Sequence, residues 1–315
     1  MTGTSDLRPQ TSDDGRQTPA ELRKTGNEKL ETFRPRNRVA DFGRRLIRNP
    51  QALIGLVICA AYVFLGMFGP LLTSHDYESQ KLMATYLRPL DDQHILGTDD
   101  LGRDLFARLA TGIRISLLIG FGVTAIAMVV GMVFGVLAGY FRGPTDTVIS
   151  GFVEFTWSFP LILIAVVLTG ALGPGLKATV LAIGLINWAG FARVIRGEVL
   201  ALREREFVQA AQAIGASDGR ILVRHIFPNI VAPTLVMASY YVALAIIAEA
   251  GLSFIGMGAQ PPLPSLGVMV ASGRNFMLFD HWISTIPGVA IVLIVLGLNF
   301  LGDGLRDLLD PRLRR

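Results

Sequence analysis

The sequence predicts an all-α integral membrane protein with six membrane-spanning helices. Only 17% of its 315 residues are charged, whereas a soluble domain carries about 25%. Hydrophobic residues make up 51% of the chain, and the mean hydropathy is +0.49. These apolar residues are gathered into runs that can cross the roughly 30 Å hydrocarbon layer of a bilayer.

Six such runs follow one another along the chain. They cover residues 52–72, 115–141, 148–172, 178–191, 230–247 and 282–301. The fourth is the shortest, but without it the polar segment 203–229 and the amino-terminal tail would lie on opposite sides of the membrane. We therefore expect a cytoplasmic tail (1–44), a first transmembrane helix (45–73), an outer amphipathic segment (74–114), a transmembrane core (115–301) and a cytoplasmic carboxyl terminus (302–315).

The distribution of positive charge predicts that both termini are cytoplasmic. Arginines are concentrated just before the first span, at Arg34, Arg36, Arg38, Arg44, Arg45 and Arg48. Because positively charged segments remain in the cytoplasm, this end lies inside, as expected for a multi-pass protein of the cell membrane. The pI of 9.4 then reflects topology and contact with anionic lipid, and no nucleic-acid-binding module is visible.

The amino-terminal tail and the single cysteine carry little structure of their own. Residues 1–44 are polar and lack an apolar run, so we expect them to be disordered. They lack the apolar core of a secretory signal, and the first span is an uncleaved anchor. The lone Cys59 excludes an internal disulfide.

The outer segment predicts an amphipathic helix over residues 98–108. Thr98 can cap it, and two pairs of opposite charges fall four residues apart. These outer charges, which we expect to contact an external protein, are Asp99, Asp100, Arg103 and Asp104, with Arg108 as the last partner. A calcium site is not expected, because the spacing is not that of an EF-hand loop and arginines neutralise the aspartates. The proline-rich turn at 260–266 is expected on the same side.

A polar insert, residues 203–229, separates the fourth and fifth apolar runs. Its first part predicts a short helix with one apolar face, formed by Phe207, Ala210, Ala211 and Ile214. Gly215 can end this helix and Ser217 can cap a second one, which continues until Pro228 imposes a kink. The polar insert is therefore expected to be two short helices joined by a bend outside the bilayer.

This insert resembles the loop that defines permease subunits of binding-protein-dependent ABC importers. Ala210, Ala211, Gly215 and Pro228 stand at the family's spacing, and Gln209 replaces its usual glutamate. The strings LGTDDLGRD, AEAGLSFIGMGAQPPLPSLG and NFLGDGLRDLLDPR are similar to the dipeptide, oligopeptide and nickel group, and within it to the second, C-type permease subunit. The resemblance covers about residues 44–312.

The resemblance implies a type I ABC importer permease fold and a set of partners. It implies a homologous second permease, two ATP-binding cassette ATPase subunits that hold ATP and Mg²⁺, and an extracytoplasmic solute-binding protein. No cofactor is expected in this chain. The residues that it assigns to the ATPase-coupling loop are Phe207, Gln209, Ala210, Ala211, Ile214, Gly215, Asp218, Arg224 and Pro228.

Small and charged residues inside the spans indicate packing and a pathway. Gly131, Gly135 and Gly139 recur every fourth residue and predict a close helix contact, either inside the chain or with the partner permease. Glu249 is costly in lipid and is a candidate to line or gate the pathway, together with the nearby Ser253. Pro160 predicts a kink in the third span.

No catalytic or metal site is predicted. The four histidines are spread over both sides of the membrane, and no phosphate-binding loop is present. An intramembrane hydrolase would have to use Ser253 and His281. The main alternatives to a peptide importer subunit are a self-contained secondary transporter or channel, and an importer of nickel or another small solute.

Overall fold

The computed structural model describes residues 49–309. The predicted disordered tail (1–44) and the last residues of the carboxyl terminus (310–315) lie outside this range. The α-helices of the described residues are α1 (Pro50–Phe68), α2 (Leu105–Phe141), α3 (Gly143–Trp157), α4 (Leu161–Leu172), α5 (Leu176–Arg203), α6 (Glu206–Ala213), α7 (Asp218–Ile221), α8 (Phe227–Phe254), α9 (Leu266–Gly273) and α10 (Trp282–Leu309).

The helices reproduce the six predicted membrane spans. Five continuous helical segments are long and apolar enough to cross a membrane, and α3 and α4, which meet at 89°, pass the same test when the bent pair is counted as one span. The break lies just before Pro160, which cannot donate a backbone hydrogen bond and which disfavours a helical conformation at Phe159. The predicted kink in the third span is thus confirmed as a complete interruption of the helix.

Several spans are longer than their apolar runs, and α2 and α5 are two examples. Helix α2 starts at Leu105 instead of residue 115, and α5 extends to Arg203 instead of ending near residue 191. Helix α5 passes through Arg196, whose guanidinium donates to both carboxylate oxygens of Asp146, at 2.5 and 2.7 Å. Hydropathy underestimates α5 because it counts Arg196 as a bare charge, whereas Asp146 neutralises it.

The three glycines of α2 form a seam inside the chain. A Cβ atom at Gly135 would lie 2.7 Å from the backbone oxygen of Ala192 and 3.0 Å from Cβ of Ile195, both on α5. Gly131 and Gly139 face α5 in the same way. Of the two contacts that the sequence allows for this face, the structure therefore shows the internal one, and α2 and α5 form the centre of the bundle.

The remaining spans pack around this pair. Helices α1, α2, α8 and α10 share one apolar cluster, which includes Tyr62, Ile113, Ile246 and Ile294. The Tyr62 hydroxyl donates to the Ala290 carbonyl at 2.8 Å, which links α1 to α10. The polar insert continues directly from α5 and leads into α8, so movement of the insert bears on two packed spans.

Candidate functional site

Helix α6 of the polar insert has two apolar faces. Val208 (0% exposed) and Ala211 (6% exposed) pack on their own bundle, in a cluster with Tyr140 and Val199. The other face points away from the bundle and carries Phe207, Ala210 and Ile214, and the Ile214 side chain is 85% exposed. The prediction that Ala211 shares one apolar face with Phe207, Ala210 and Ile214 was therefore wrong, because Ala211 faces inward with Val208.

Val208 was missed although a signal for it exists. It precedes Ala211 by three residues, the spacing that places two side chains on one helix face. The pair forms a narrow inward stripe, whereas Phe207, Ala210 and Ile214 form the outward stripe. The outward stripe leaves apolar side chains uncovered in a polar part of the chain.

Gly215 ends α6 as predicted. Its φ of +78° lies in the left-handed region, which favours glycine. The amide of Ala216 donates to the Ala211 carbonyl and that of Gly215 to the Gln212 carbonyl, both at 3.0 Å. These two bonds make a Schellman motif, which closes the helix and turns the chain sharply. No other atom lies within 4 Å of a Cβ built at Gly215, so its conformation, not its size, matters there.

The second part of the polar insert differs from the prediction. Helix α7 starts after Ser217, whose side chain makes no capping hydrogen bond. It leads into a π-helical turn, Leu222–Ile226, and then into α8, so residues 218–254 form one helical segment. A wider turn accommodates Pro228, because the proline ring would clash with the carbonyl four residues earlier in a regular helix. The predicted interruption at Pro228 is thus a local widening.

Polar contacts fix the polar insert to the bundle. The Tyr140 hydroxyl donates to Asp218 Oδ1 at 2.7 Å, and Arg203 Nη1 donates to the Tyr140 carbonyl at 2.7 Å. Gln209 Nε2 donates to the carbonyl of Glu204 at 3.3 Å. Phe207 packs beside His225, with 6.1 Å between ring centroids. Asp218 and Gln209 therefore hold the fold of the insert, whereas Arg224 and Pro228 are exposed on its surface.

The segment before α2 is a loop, so the predicted helix over residues 98–108 was wrong. Thr98 does not cap a helix; its hydroxyl donates to the Ala84 carbonyl at 2.6 Å. Asp104 is the cap of α2, and its Oδ2 accepts from the Ala107 amide at 2.8 Å. The expected pair of Asp104 and Arg108 is replaced, because Arg108 lies 3.5 Å from Asp99.

Two of the four proposed outer contact residues are buried. Asp99 accepts from the Arg103 side chain at 2.7 Å, which confirms that predicted pair, but Asp99 and Asp104 are only 3% and 4% exposed. They hold the loop together and do not present their charges to a partner. Asp100 and Arg103 remain partly exposed, and a role in binding an external protein stays a prediction for these two.

Two histidines that the sequence appeared to scatter come together in this loop. His94 Nδ1 lies 2.8 Å from Asp104 Oδ1, and the His75 ring stacks at 4.5 Å from that of His94. One ligand atom of each of these three residues falls within 4.8 Å of the others. The His94 contact orients the Asp104 carboxylate, which caps α2.

Glu249 and Ser253 form a buried polar link between helices. The Ser253 hydroxyl donates to Glu249 Oε1 at 2.5 Å, and Ser116 Oγ of α2 lies 3.5 Å from Oε2. Ser265 Oγ, the cap of α9, lies 3.3 Å from that of Ser253. Because Glu249 is 0% exposed, it does not line an open surface in this structure. Its role in gating stays a prediction, and Ser253 has a carboxylate, not His281, as its partner.

Comparison with solved structures confirms the fold. The chain superposes on the MetNI methionine ABC transporter in an inward-facing conformation, with a TM-score of 0.54. The match covers 64% of this chain and 97% of that chain at 20% identity. This level of identity supports the type I importer permease fold alone.

Relatives of known sequence are more similar to this chain than the solved structures are. The chain is 40% identical over 271 residues to the dipeptide transport system permease protein DppC of Alkalihalophilus pseudofirmus, covering 86% of this chain and 89% of that one. It is 36% identical to the oligopeptide transport system permease protein OppC of Bacillus subtilis, covering 86% and 88%. The glutathione transport system permease protein GsiD of Pectobacterium atrosepticum is 36% identical, with 87% and 91% covered.

Two family descriptions match separate parts of the chain. Residues 37–89 match the N-terminal TM domain of oligopeptide transport permease C. Residues 131–315 match the binding-protein-dependent transport system inner membrane component. The chain therefore belongs to the family of inner membrane permease components of binding-protein-dependent ABC importers, in its dipeptide and oligopeptide C-type group.

Proposed function

We propose that this permease forms half of the translocation pathway of an ATP-driven importer for short peptides, and that α6 transmits the motion of an ATPase subunit. The observation that supports this most strongly is the pair of faces on α6. Val208 and Ala211 anchor the helix to α2 and α5, while Phe207, Ala210 and Ile214 are free to enter a groove on a partner. A helix seated in a groove is a recurrent mode of recognition.

The exposed side chains of the polar insert extend beyond α6. Val223 in the π-helical turn is 72% exposed and Ile214 is 85% exposed. Apolar side chains clustered in a polar segment mark an interaction surface. The inward residues Ile221 and Ile226 share one cluster with Ile230 of α8. A rigid movement of the insert would therefore be transmitted to α5 and α8 together.

The energy source and topology follow from this arrangement. ATP and Mg²⁺ would be held by two ATPase subunits, with no cofactor in this chain. The polar insert and both termini would lie in the cytoplasm, in line with the arginines that precede α1. A second, homologous permease would complete the pathway, and a solute-binding protein on the outer side would deliver the substrate.

Short peptides are the substrate class that the relatives favour. The names of the dipeptide and oligopeptide permeases support this choice, whereas a relative named for glutathione transport indicates that the C-type group also includes carriers of other small solutes. Nickel or another small solute is therefore the alternative within the family. A self-contained transporter or channel would not require a separate ATPase.

The test is co-expression with the second permease and the ATPase subunits, followed by purification through a tag on this chain. We expect the ATPases to co-purify, and reconstituted liposomes to take up a labelled dipeptide only with ATP and the binding protein. Ala210→Arg should abolish co-purification, whereas Ala201→Arg, at an exposed alanine near the end of α5, should not. Uptake driven by an ion gradient without the ATPases would refute the proposal.

A further inference from the structure

The break between α3 and α4 places irregular backbone inside the bent helix pair that makes up the third predicted span. Residues 158–160 separate two apolar helices that meet at 89°, and Ser158, Phe159 and Pro160 are all exposed. Irregular backbone is tolerated inside a membrane only where it is buried in protein or lines a water-filled cavity. This part of the chain therefore does not face lipid.

A groove runs along this break between α3, α5 and α8. It consists of two cavities of about 160 Å³ each and a third of about 280 Å³. Glu154 and Arg193 line the first two, and Trp157 lines the first and the third. Asn187 and Tyr241 line the third. These shared residues place the three cavities next to one another along the groove, with charged groups at one end and an amide and a phenol at the other.

Glu154 and Arg193 are the charged groups of this groove that lack an ionic partner among the described residues. Both are exposed, and among residues 49–309 neither forms an ion pair. The Arg193 guanidinium lies over the Trp157 ring, 4.7 Å from its centroid. By contrast, Arg196 one turn later on α5 is paired with Asp146. Charges within a span are costly in lipid and mark ion or substrate pathways, so an unpaired carboxylate and guanidinium in one groove indicate contact with water and a polar ligand.

Packing keeps the third cavity open on its α8 side. The Tyr241 hydroxyl occupies the space that a side chain at position 190 would fill. A Cβ atom at Gly190 would lie 1.8 Å from this hydroxyl. The Tyr241 ring also stacks on the buried Phe191, at 4.5 Å between centroids. The position of the phenol is thus fixed by α5 from two sides.

We propose that this groove is the wall of the translocation pathway and that it contacts a zwitterionic peptide. The Arg193 guanidinium would bind the terminal carboxylate of the peptide with two hydrogen bonds, and the Glu154 carboxylate would bind its ammonium group. The Asn187 amide would bond to the peptide backbone. This inference rests on the proposed function for the substrate class, but it assigns the pathway to α3 and α5 instead of to the buried Glu249.

Thiol labelling tests whether the groove is open to water. In a Cys59→Ala background, Glu154→Cys and Arg193→Cys would be introduced singly, with Phe152→Cys as the matched control. Phe152 lies two residues before Glu154, on the opposite side of α3, and is also exposed. In the assembled transporter we expect a membrane-impermeant thiol reagent to label positions 154 and 193 but not 152. Labelling at 152 alone, or at none of the three, overturns the proposal.

Transport by charge variants tests the contact with the peptide. Arg193→Gln should lower uptake of a dipeptide about tenfold, the effect of losing one charge-assisted contact, while co-purification of the ATPases is unchanged. Arg193→Lys should recover part of the uptake. Uptake within twofold of the parent for both Arg193→Gln and Glu154→Gln would overturn the assignment of the groove. Failure of the proposed function is distinguishable, because the parent protein itself would then bring down no ATPase.

Discussion

Replacement of Ile214 by alanine gives the sharpest prediction about α6. The side chain is 85% exposed in the permease, so its loss should leave the stability of the permease unchanged. If the ATPase buries the Ile214 side chain, its replacement by alanine removes three carbon groups from the interface. Each contributes ~0.8 kcal/mol to binding when fully buried, which gives a loss of ~2 kcal/mol. This corresponds to a roughly thirtyfold weaker binding of the ATPase.

The assay is the dissociation constant between the permease pair in lipid nanodiscs and the purified ATPase, measured by interferometry. Ile95→Ala is the matched control, because Ile95 is also an exposed isoleucine, at 61%, but lies in the loop before α2. We expect Ile214→Ala to weaken binding about thirtyfold and Ile95→Ala to leave it unchanged. Equal constants for Ile214→Ala and the parent would show that this face of α6 is not the docking surface.

Three further predictions concern packing. Gly135→Ala should destabilise the purified permease by ~1–3 kcal/mol and so lower its melting temperature. Gly151→Ala should not, because no atom lies within 4 Å of the added Cβ there. Equal melting curves for the two variants would contradict the α2–α5 seam. Ala211→Leu should both lower the melting temperature and release the ATPase, because the Ala211 side chain packs inward. Loss of ATPase binding without any loss of stability would show that the Ala211 side chain faces outward instead. Glu249→Leu should lower the free energy of unfolding by ~1–3 kcal/mol, because it leaves buried hydroxyls unsatisfied. Glu249→Gln should keep most of the stability. Identical melting temperatures for these two variants would exclude the hydrogen-bonded link.

The spans were predictable because long apolar runs leave few alternatives, and the kink at Pro160 follows from the chemistry of proline. That this kink is a complete break was not predictable, because Pro233 and Pro287 lie inside the continuous helices α8 and α10. The start of α2 was not predictable in the same way. Thr98 and Asp104 are both good caps by residue type, and the choice depends on His94, which orients the Asp104 carboxylate from a loop ten residues earlier. Such a tertiary contact has no periodic signature.

The faces of α6 show the same limit. The spacing identifies both Val208 with Ala211 and Phe207 with Ile214 as apolar stripes, but it does not say which stripe meets the bundle. The answer depends on Tyr140 of α2 and Val199 of α5, whose positions are not encoded in the spacing within α6. The groove at Glu154 and Arg193 was likewise hidden, because these residues lie on α3 and α5, and the packing of these two helices has no periodic signature in the sequence.

The central claim is that the outward face of α6 is held by an ATPase subunit. Cross-linking from a single cysteine tests it most directly, with Ala210→Cys and Val208→Cys compared in a Cys59→Ala background and in native membranes. We predict that position 210 cross-links to the ATPase and that the buried position 208 does not. A cysteine at 210 that reacts only with its own bundle, or that is labelled from outside the cell, would contradict the claim.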